Sequence, residues 1–218
     1  MAVLDEASFN SMNSCVNILL DYGIQAKRIN GASITEGGLQ GYDVLVLPGG
    51  SGGDQAQAMG NSGCANVEEF VKNGGGIVGI CAGAYLIAKG YSTRPETSWL
   101  ELIDAEILDV DNWDRGSGNV EVKVETDHPI LEGYEGTFTA RYVNGPLLTE
   151  PSPLPYQILM TFAGAVNQTT AGKRMIGTPA LVVENYSKGR CVWFSFHPEL
   201  TDGLDELYIQ AVLWAASN

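Results

Sequence analysis

Apolar residues in the first half of this chain occur either in short continuous runs or at helical spacing. Continuous runs predict strands that are covered on both faces, and apolar residues three or four apart predict amphipathic helices. Strands are expected at residues 2–5, 24–29, 43–47 and 77–80, and helices at residues 11–22, near 67–71 and at 82–89. The first helix would bury a stripe formed by Met12, Val16, Leu19 and Leu20. Strands that alternate with helices predict right-handed βαβ units and a parallel sheet.

The second half shows another pattern, in which strand-like runs follow one another without helices. These runs occupy residues 102–110, 120–125, 138–143 and 156–161, and they predict an antiparallel section. Residues 180–185 and 190–196 flank a turn at 187–189 and predict a hairpin. An amphipathic helix is expected to close the chain, with apolar residues at Leu204, Leu207, Tyr208, Ala211 and Val212. We therefore expect one α/β domain over residues 1–218, with a mostly parallel central sheet and an added antiparallel section.

The composition is typical of a globular protein, since 44% of the 218 residues are hydrophobic and 17% are charged. The 26 acidic and 12 basic residues give a formal net charge of -14. This charge argues against nucleic acid or an anionic membrane as a partner, because both require a basic face. The longest weakly polar run, residues 76–88, is shorter than the ~20 residues that a membrane-spanning helix needs. The strand-like residues after Met1 predict no signal peptide and a cytoplasmic location, although removal of a natural leader would leave the same pattern.

The cysteines and histidines give no pattern typical of a metal site. The chain has four cysteines and two histidines, and no Cys-x-x-Cys pair is present. A structural zinc site is therefore not expected, and no cofactor is implied. Buried free thiols are expected, with a Cys15–Cys64 disulfide as the alternative.

The segment Gly79-Ile80-Cys81-Ala82-Gly83 lies between a predicted strand and a predicted helix. It has the form of a G-x-C-x-G nucleophile elbow, in which the central residue is strained and the residues two before and two after it approach closely. The helix N-terminus favours a thiolate over a thiol. Cys81 is therefore the candidate nucleophile, and the N–H of Ala82 is a candidate oxyanion donor. The alternative is a buried cysteine in a glycine-rich turn.

A cysteine nucleophile needs a base, and His128 and His197 are the two candidates. His128 lies in a polar turn and is expected at the surface. His197 ends a predicted strand, and chemistry in parallel sheets gathers beyond the carboxyl ends of the strands. Glu199 follows two residues later and is expected to accept a hydrogen bond from the imidazole, which would hold its tautomer. The alternative for Glu199 is an acid in the first turn of the last helix.

A second glycine cluster, Leu47-Pro48-Gly49-Gly50-Ser51-Gly52-Gly53, follows the third predicted strand. It is not a P-loop, because the sequence G-x-x-x-x-G-K-[ST] is missing. Its place beside the elbow predicts a second oxyanion donor, the N–H of Gly49 or Gly50. The alternative is a flexible loop.

Three motifs, Leu47-Pro48-Gly49-Gly50, the elbow at 79–83 and His197-Pro198-Glu199, stand in the order of the class I glutamine amidotransferase-like superfamily, which the chain resembles over most of its length. The branch that it resembles most is the biotin-protein ligase N-terminal domain family. That similarity lies in the segment from Gly79 to Tyr85, in Arg115-Gly116-x-Gly118 and in Tyr142-x-Asn144-Gly145-Pro146. The resemblance implies a flavodoxin-like three-layer sandwich with a Cys81–His197–Glu199 triad.

The resemblance also bears on the substrate pocket. Working glutaminases of the superfamily usually carry glutamine four residues after the nucleophile, where this chain has Tyr85, so standard glutaminase activity is not expected. In a related branch an acid near the end of the first strand hydrogen-bonds the cysteine, and Asp5 or Glu6 could do so here, with a loop acid that caps the first helix as the alternative. Residues that either line the pocket mouth or brace turns are Arg115, Arg141 and Asn144.

The sequence therefore predicts a cysteine-dependent hydrolase or amidotransferase-like protein that acts on the C–N bond of a small-molecule or peptide amide. A non-catalytic ligand- or partner-binding module on the same scaffold is one alternative, and a redox role for an oxidisable Cys81 is another. A homo-oligomer and a separate partner protein are both compatible with these readings.

Overall fold

The computed structural model describes residues 1–109, 113, 115–149 and 154–217. Within these ranges one nine-stranded sheet is accompanied by α-helices and short 3-10 turns. The strands are β1 (Ala2–Leu4), β2 (Lys27–Ile29), β3 (Val44–Leu47), β4 (Gly76–Ile80), β5 (Ser117–Val124), β6 (Thr137–Val143), β7 (Gln157–Phe162), β8 (Pro179–Tyr186) and β9 (Gly189–Phe194). The helices are α1 (Phe9–Asp21), α2 (Gly31–Thr35), α3 (Gly52–Lys72), α4 (Ala82–Ile87) and α5 (Asp205–Ala216). Helix α3 is interrupted at Gly60, where φ is 59°.

The sheet has a parallel half and an antiparallel half. Its strand order is β2-β1-β3-β4-β9-β8-β7-β5-β6. The pairings from β2 through β1, β3 and β4 to β9 are parallel, and those from β9 through β8, β7 and β5 to β6 are antiparallel. The structure confirms the predicted α/β class, the antiparallel section and the β8–β9 hairpin. Strand β9 belongs to both halves and therefore brings residues of the second half next to β4.

Two hydrophobic cores cover the two faces of the sheet, which makes three layers. Alternate residues of each strand point to opposite faces. In β3, Val44 and Val46 pack on the side of α1 and α5, whereas Leu45 and Leu47 pack on the side of α3 and α4. The continuous apolar runs of the parallel strands are explained by this burial on both faces.

Two features of the sequence-based picture are wrong. Residues 102–109 form no strand, and residue 110 lies outside the described residues. The backbone N–H groups of Leu102 and Ile103 donate to the carbonyl of Ile87. They therefore provide hydrogen bonds to the last carbonyl of α4 rather than to a neighbouring strand. In α1 the buried face includes Cys15, whereas Leu20 is 52% exposed. The other three residues of the predicted stripe, Met12, Val16 and Leu19, are buried.

The structure also bears on the disulfide and on membrane-spanning helices. All four cysteines are buried and free, so the Cys15–Cys64 disulfide is not formed. No helix in the described ranges is long and apolar enough to cross a bilayer.

Candidate functional site

Cys81 lies at the point of a strained turn between β4 and α4. Its φ of 52° and ψ of -100° place a non-glycine residue in the left-handed region. A Cβ on Gly79 would lie 2.8 Å from the carbonyl oxygen of Gly83, and a Cβ on Gly83 would lie 2.0 Å from the carbonyl oxygen of Leu47. The close approach predicted from the two glycines is thus present. It projects the cysteine beyond the carboxyl end of β4.

Strand β9 brings His197 to the same edge of the sheet. Parallel pairing aligns Ile80 with Phe194, and the N–H of Cys81 donates to the carbonyl of Phe194 at 2.9 Å. Three residues beyond that carbonyl, the N–H of His197 donates to the carbonyl of Arg141 at 2.8 Å. The elbow and the histidine are therefore fixed by backbone hydrogen bonds that do not depend on their own side chains.

A buried chain of hydrogen bonds holds the imidazole. Nδ1 of His197 lies 2.7 Å from Oε1 of Glu199, as the two-residue spacing predicts. The same oxygen accepts from the hydroxyl of Ser11 at 2.6 Å, and that hydroxyl accepts from the N–H of Gly49 at 2.8 Å. As whole residues, Ser11, His197 and Glu199 are at most 4% exposed. This network connects α1, the glycine loop after β3 and the segment after β9.

The other imidazole nitrogen, Nε2 of His197, is buried and has no hydrogen-bond partner among the described residues. The thiol of Cys81 donates to the carbonyl of Val143 at 3.2 Å. Burial lowers the pKa of His197, but the charge of Glu199 and the neighbouring Cys81 outweigh this effect and raise the pKa to about 10. The buried imidazole thus holds its proton more tightly than a free histidine does.

The glycine loop differs from its predicted role in one respect. The N–H of Gly49 is not available to an oxyanion, because it already donates to Ser11. Gly49 instead provides room for the imidazole, since a Cβ there would lie 2.5 Å from Cε1 of His197. The N–H of Gly50 has no acceptor among the described residues, and Gly50 and Ala82 both line the cavity beside Cys81. Of the two glycines, Gly50 is therefore the one that is able to act as the second donor.

Cys81 and His197 open into a cavity of about 790 Å³. Its lining includes Tyr85, Arg115, Arg141 and Asn144. The hydroxyl of Tyr85 donates to the carbonyl of Asn144 at 3.0 Å, and the Arg115 guanidinium donates to the same carbonyl at 2.8 Å. Arg115 also lies over the ring of Tyr85, at 5.7 Å from its centroid. These residues both line the cavity and brace its wall.

Two predicted pocket residues lie elsewhere. The Glu6 carboxylate accepts from the N–H of Gly31, with both oxygens at 3.0 Å, and therefore caps the start of α2. Neither Asp5 nor Glu6 lines the cavity around Cys81. The alternative of capping the first helix is therefore also wrong for Glu6, which caps α2 instead, and the thiol of Cys81 donates to the Val143 carbonyl.

The second histidine is away from this site. The ring of His128 packs edge-on against Trp214 at 5.1 Å, and its Nδ1 accepts from the N–H of Ile130. Burial and the nearby Arg190 lower the pKa of His128. His128 is thus a half-buried structural residue rather than a freely exposed one, and the structure keeps it apart from Cys81.

Sequence reasoning missed Ser11. A serine in the first turns of a helix is normally read as a polar, solvent-facing position. A usable signal was its spacing of four residues from Cys15 and eight from Leu19, which places it on the buried row of α1. The aromatic residues Tyr91 and Trp99 were also missed, although both line the cavity.

Comparison with known proteins gives a consistent picture. The family model described as biotin-protein ligase, N terminal, matches residues 7–105. The pyridoxal 5'-phosphate synthase subunit PdxT of Pasteurella multocida is 29% identical over 167 residues, which are 76% of this chain and 74% of the relative. The imidazole glycerol phosphate synthase subunit HisH of Wolinella succinogenes is 32% identical over 112 residues, which are 47% of this chain and 55% of the relative.

The fold is shared with a solved structure described as a glutamine amidotransferase. The TM-score is 0.72 at 24% identity, and the match covers 99% of this chain and 97% of the other. The comparisons thus confirm that the chain resembles the class I glutamine amidotransferase-like superfamily, with the biotin-protein ligase N-terminal model matching its first half.

Proposed function

We propose that this amidotransferase-like chain is a cysteine-dependent enzyme that cleaves amide C–N bonds through Cys81, His197 and Glu199. One observation carries the proposal: a cysteine in a strained elbow and a buried histidine–glutamate pair meet at the carboxyl ends of the adjacent strands β4 and β9, and they face one cavity. Nucleophile, base and orienting acid are the three parts that nucleophilic amide cleavage requires.

In the proposed reaction the Cys81 thiolate adds to the carbonyl carbon of the amide. The N–H groups of Ala82 and Gly50 stabilise the oxyanion that forms. His197 gives its proton to the leaving nitrogen, the C–N bond breaks, and a thioester remains on Cys81. Water, which His197 deprotonates, or an amine then attacks the thioester and restores the cysteine. Glu199 holds the imidazole and stabilises its charged form throughout.

Glutamine is not the substrate that we propose. Tyr85 replaces the residue that helps glutaminases of the superfamily to hold glutamine, and its hydroxyl is already bonded to the carbonyl of Asn144. Both similar synthase proteins are named as subunits, which makes a separate partner protein a reasonable proposal for this chain as well. We further propose that residues 1–218 form a single domain.

The first experiment measures how fast iodoacetamide alkylates Cys81 as a function of pH, with peptide mapping to separate it from the other three cysteines. We expect alkylation at neutral pH to be about tenfold or more faster than for an unperturbed thiol, because the charged imidazole favours the thiolate. The variant His197→Ala should lose this advantage. The matched control His128→Ala removes the other histidine and should keep it. An ordinary alkylation rate in the wild-type protein would refute the activated nucleophile.

A second experiment screens amides, including glutamine, for hydrolysis. Rapid quenching with acid should trap an acyl group on the Cys81 peptide, detected by mass spectrometry. The variant Cys81→Ser should show neither the product nor this adduct.

The second candidate function is a non-catalytic binding module on the same scaffold. The hydrogen bond from the Cys81 thiol to the Val143 carbonyl favours this function, because a thiol that donates its proton to a carbonyl is not donating it to the imidazole. Slow alkylation of Cys81, together with ligand binding that Cys81→Ser leaves unchanged, would identify this function.

A further inference from the structure

The cavity beside Cys81 is larger than an amide as small as glutamine requires. Its volume of about 790 Å³ lies in the range, roughly 300–1,000 Å³, of sites that enclose drug-sized ligands. A small substrate would leave much of this space to water, and the enclosed surface would contribute little to binding. The residues that line the cavity therefore indicate which chemical groups a substrate larger than glutamine would carry in addition to its amide.

One side of the cavity is aromatic. Tyr85 lies one helical turn after Cys81, and its ring centroid is 6.0 Å from that of Tyr91. Trp99 also lines the cavity and is 44% exposed, although it is among the largest apolar side chains. Exposed aromatic rings that line a cavity with a polar end are suited to hold an apolar or aromatic group.

The lining also carries two arginines. Arg115 stacks on the ring of Tyr85 and donates to the carbonyl of Asn144, which leaves Arg141 as the arginine without such a ring contact. Arg141 lines the cavity, and its backbone carbonyl accepts from the N–H of His197, so the two residues are neighbours in the backbone. Its guanidinium donates to the hydroxyl of Ser117 at 2.9 Å and forms no ion pair with a carboxylate of the described residues. In a chain with a net charge of -14, an arginine of this kind is a local site for an anion.

If the proposed function is correct, the position of His197 decides which half of the substrate lies at Arg141 and which lies at the aromatic rings. His197 must lie beside the leaving nitrogen, because it protonates that atom. The anion at Arg141 therefore belongs to the amine half of the substrate, and the aromatic side receives the acyl half. Resting on the proposed function, we propose that the substrates are N-acyl amino acids, with an aromatic or apolar acyl group and a free carboxylate on the amine half.

N-phenylacetylglycine is an example of such a substrate, and its hydrolysis has two steps. The Cys81 thiolate adds to the phenylacetyl carbon, the C–N bond breaks, and glycine leaves with a proton from His197. Water then cleaves the phenylacetyl thioester, which yields phenylacetate and restores the cysteine.

The test compares N-phenylacetylglycine with three related amides. The neutral N-phenylacetylglycinamide lacks the carboxylate, N-acetylglycine lacks the ring, and glutamine lacks the acyl amino acid structure. We expect kcat/KM for N-phenylacetylglycine to exceed each of the others by about tenfold or more, since one charge-assisted hydrogen bond or one well-placed aromatic group has an effect of this size. In parallel, each compound is tested for protection of Cys81 against iodoacetamide, which measures binding without turnover.

Three variants assign the two sides. Arg141→Gln should remove the preference for the acid over the glycinamide. Trp99→Ala should reduce the preference for the phenylacetyl over the acetyl group. Because Trp99 is 44% exposed, this replacement should change the free energy of unfolding little. Arg28→Gln makes the same charge change on the edge strand β2, away from the cavity, and should change neither preference.

The possible failures are distinguishable. Equal protection by all four compounds, or the best protection by glutamine, would overturn the substrate class while rapid alkylation of Cys81 still supports the nucleophile. Slow alkylation would refute the nucleophile, and selective protection by N-phenylacetylglycine would then still support the binding site. A preference for the acid that persists in Arg141→Gln would show that the carboxylate is bound elsewhere and would refute the assigned orientation.

Discussion

The replacement Ser11→Ala tests the buried hydrogen-bond network under the site. It removes the hydroxyl that donates to Oε1 of Glu199 at 2.6 Å and accepts from the N–H of Gly49 at 2.8 Å. Alanine leaves space where the oxygen was, and at a position that is 1% exposed there is little access for bulk water. Both the carboxylate and the amide thus lose a partner in a dry environment.

The expected loss of stability follows from these two bonds. A hydrogen bond to a charged group contributes about 1.5–3 kcal/mol, and a buried amide without a partner costs about 1–3 kcal/mol. Alanine recovers about 0.5 kcal/mol through its higher helix propensity. We therefore expect the free energy of unfolding to fall by about 2–5 kcal/mol, measured by chemical denaturation at neutral pH.

Ser14→Ala is the matched control for this measurement. Ser14 lies on the same helix α1, is only partly buried, and its side chain has no hydrogen bond among the described residues. The control variant should be as stable as the wild type or slightly more so. If Ser11→Ala loses no more stability than Ser14→Ala, the two hydrogen bonds do not contribute as reasoned, and water or a local shift must satisfy Glu199 and Gly49.

Three further predictions concern the elbow, the histidine and the pocket. Gly83→Ala would place a Cβ 2.0 Å from the carbonyl oxygen of Leu47 and should lower the free energy of unfolding by about 3 kcal/mol or more, whereas Gly53→Ala, with nothing within 4 Å of the added Cβ, should be neutral or stabilising; equal effects would contradict the steric argument. The pKa of His197 is raised to about 10 in the folded state, from an unfolded value of about 6.5, so the folded state binds this proton more tightly. The free energy of unfolding should therefore decline as the pH rises above about 6.5. His197→Gln should reduce that decline, measured by denaturation curves up to about pH 8.5. Tyr85→Gln should raise glutamine hydrolysis by about tenfold in an ammonia-release assay, while Tyr85→Phe should not, and no gain in the first variant would refute the role given to this position.

Much of this architecture follows from the sequence alone, because its signals are local. Continuous apolar runs identify strands buried on both faces, and each of the parallel strands lies close to its predicted range. The G-x-C-x-G pattern identifies the elbow, since only glycine fits the close approaches around Cys81. His197 and Glu199 are two residues apart, so the chain itself already brings their side chains within reach.

Other features depend on which segments meet in space, and the sequence does not encode those encounters in any local pattern. Residues 102–109 have an apolar pattern that a strand would share, but the backbone N–H groups of Leu102 and Ile103 donate to the carbonyl of Ile87 at the end of α4. Glu6 follows β1 closely enough to be directed at Cys81, yet the start of α2 offers it the N–H of Gly31.

The site shows the same division between local and long-range determination. The sequence alone indicated that Cys81 would lie at the turn between a strand and a helix and that His197 and Glu199 would form a pair. Only the tertiary structure decided that Ser11, 188 residues before Glu199, would share its carboxylate oxygen, and that Gly49 would donate to Ser11 rather than to an oxyanion. A buried polar group bonds to whichever partner the packing of distant elements brings within hydrogen-bond distance, and that choice is made only when the sheet and its two helical layers are assembled.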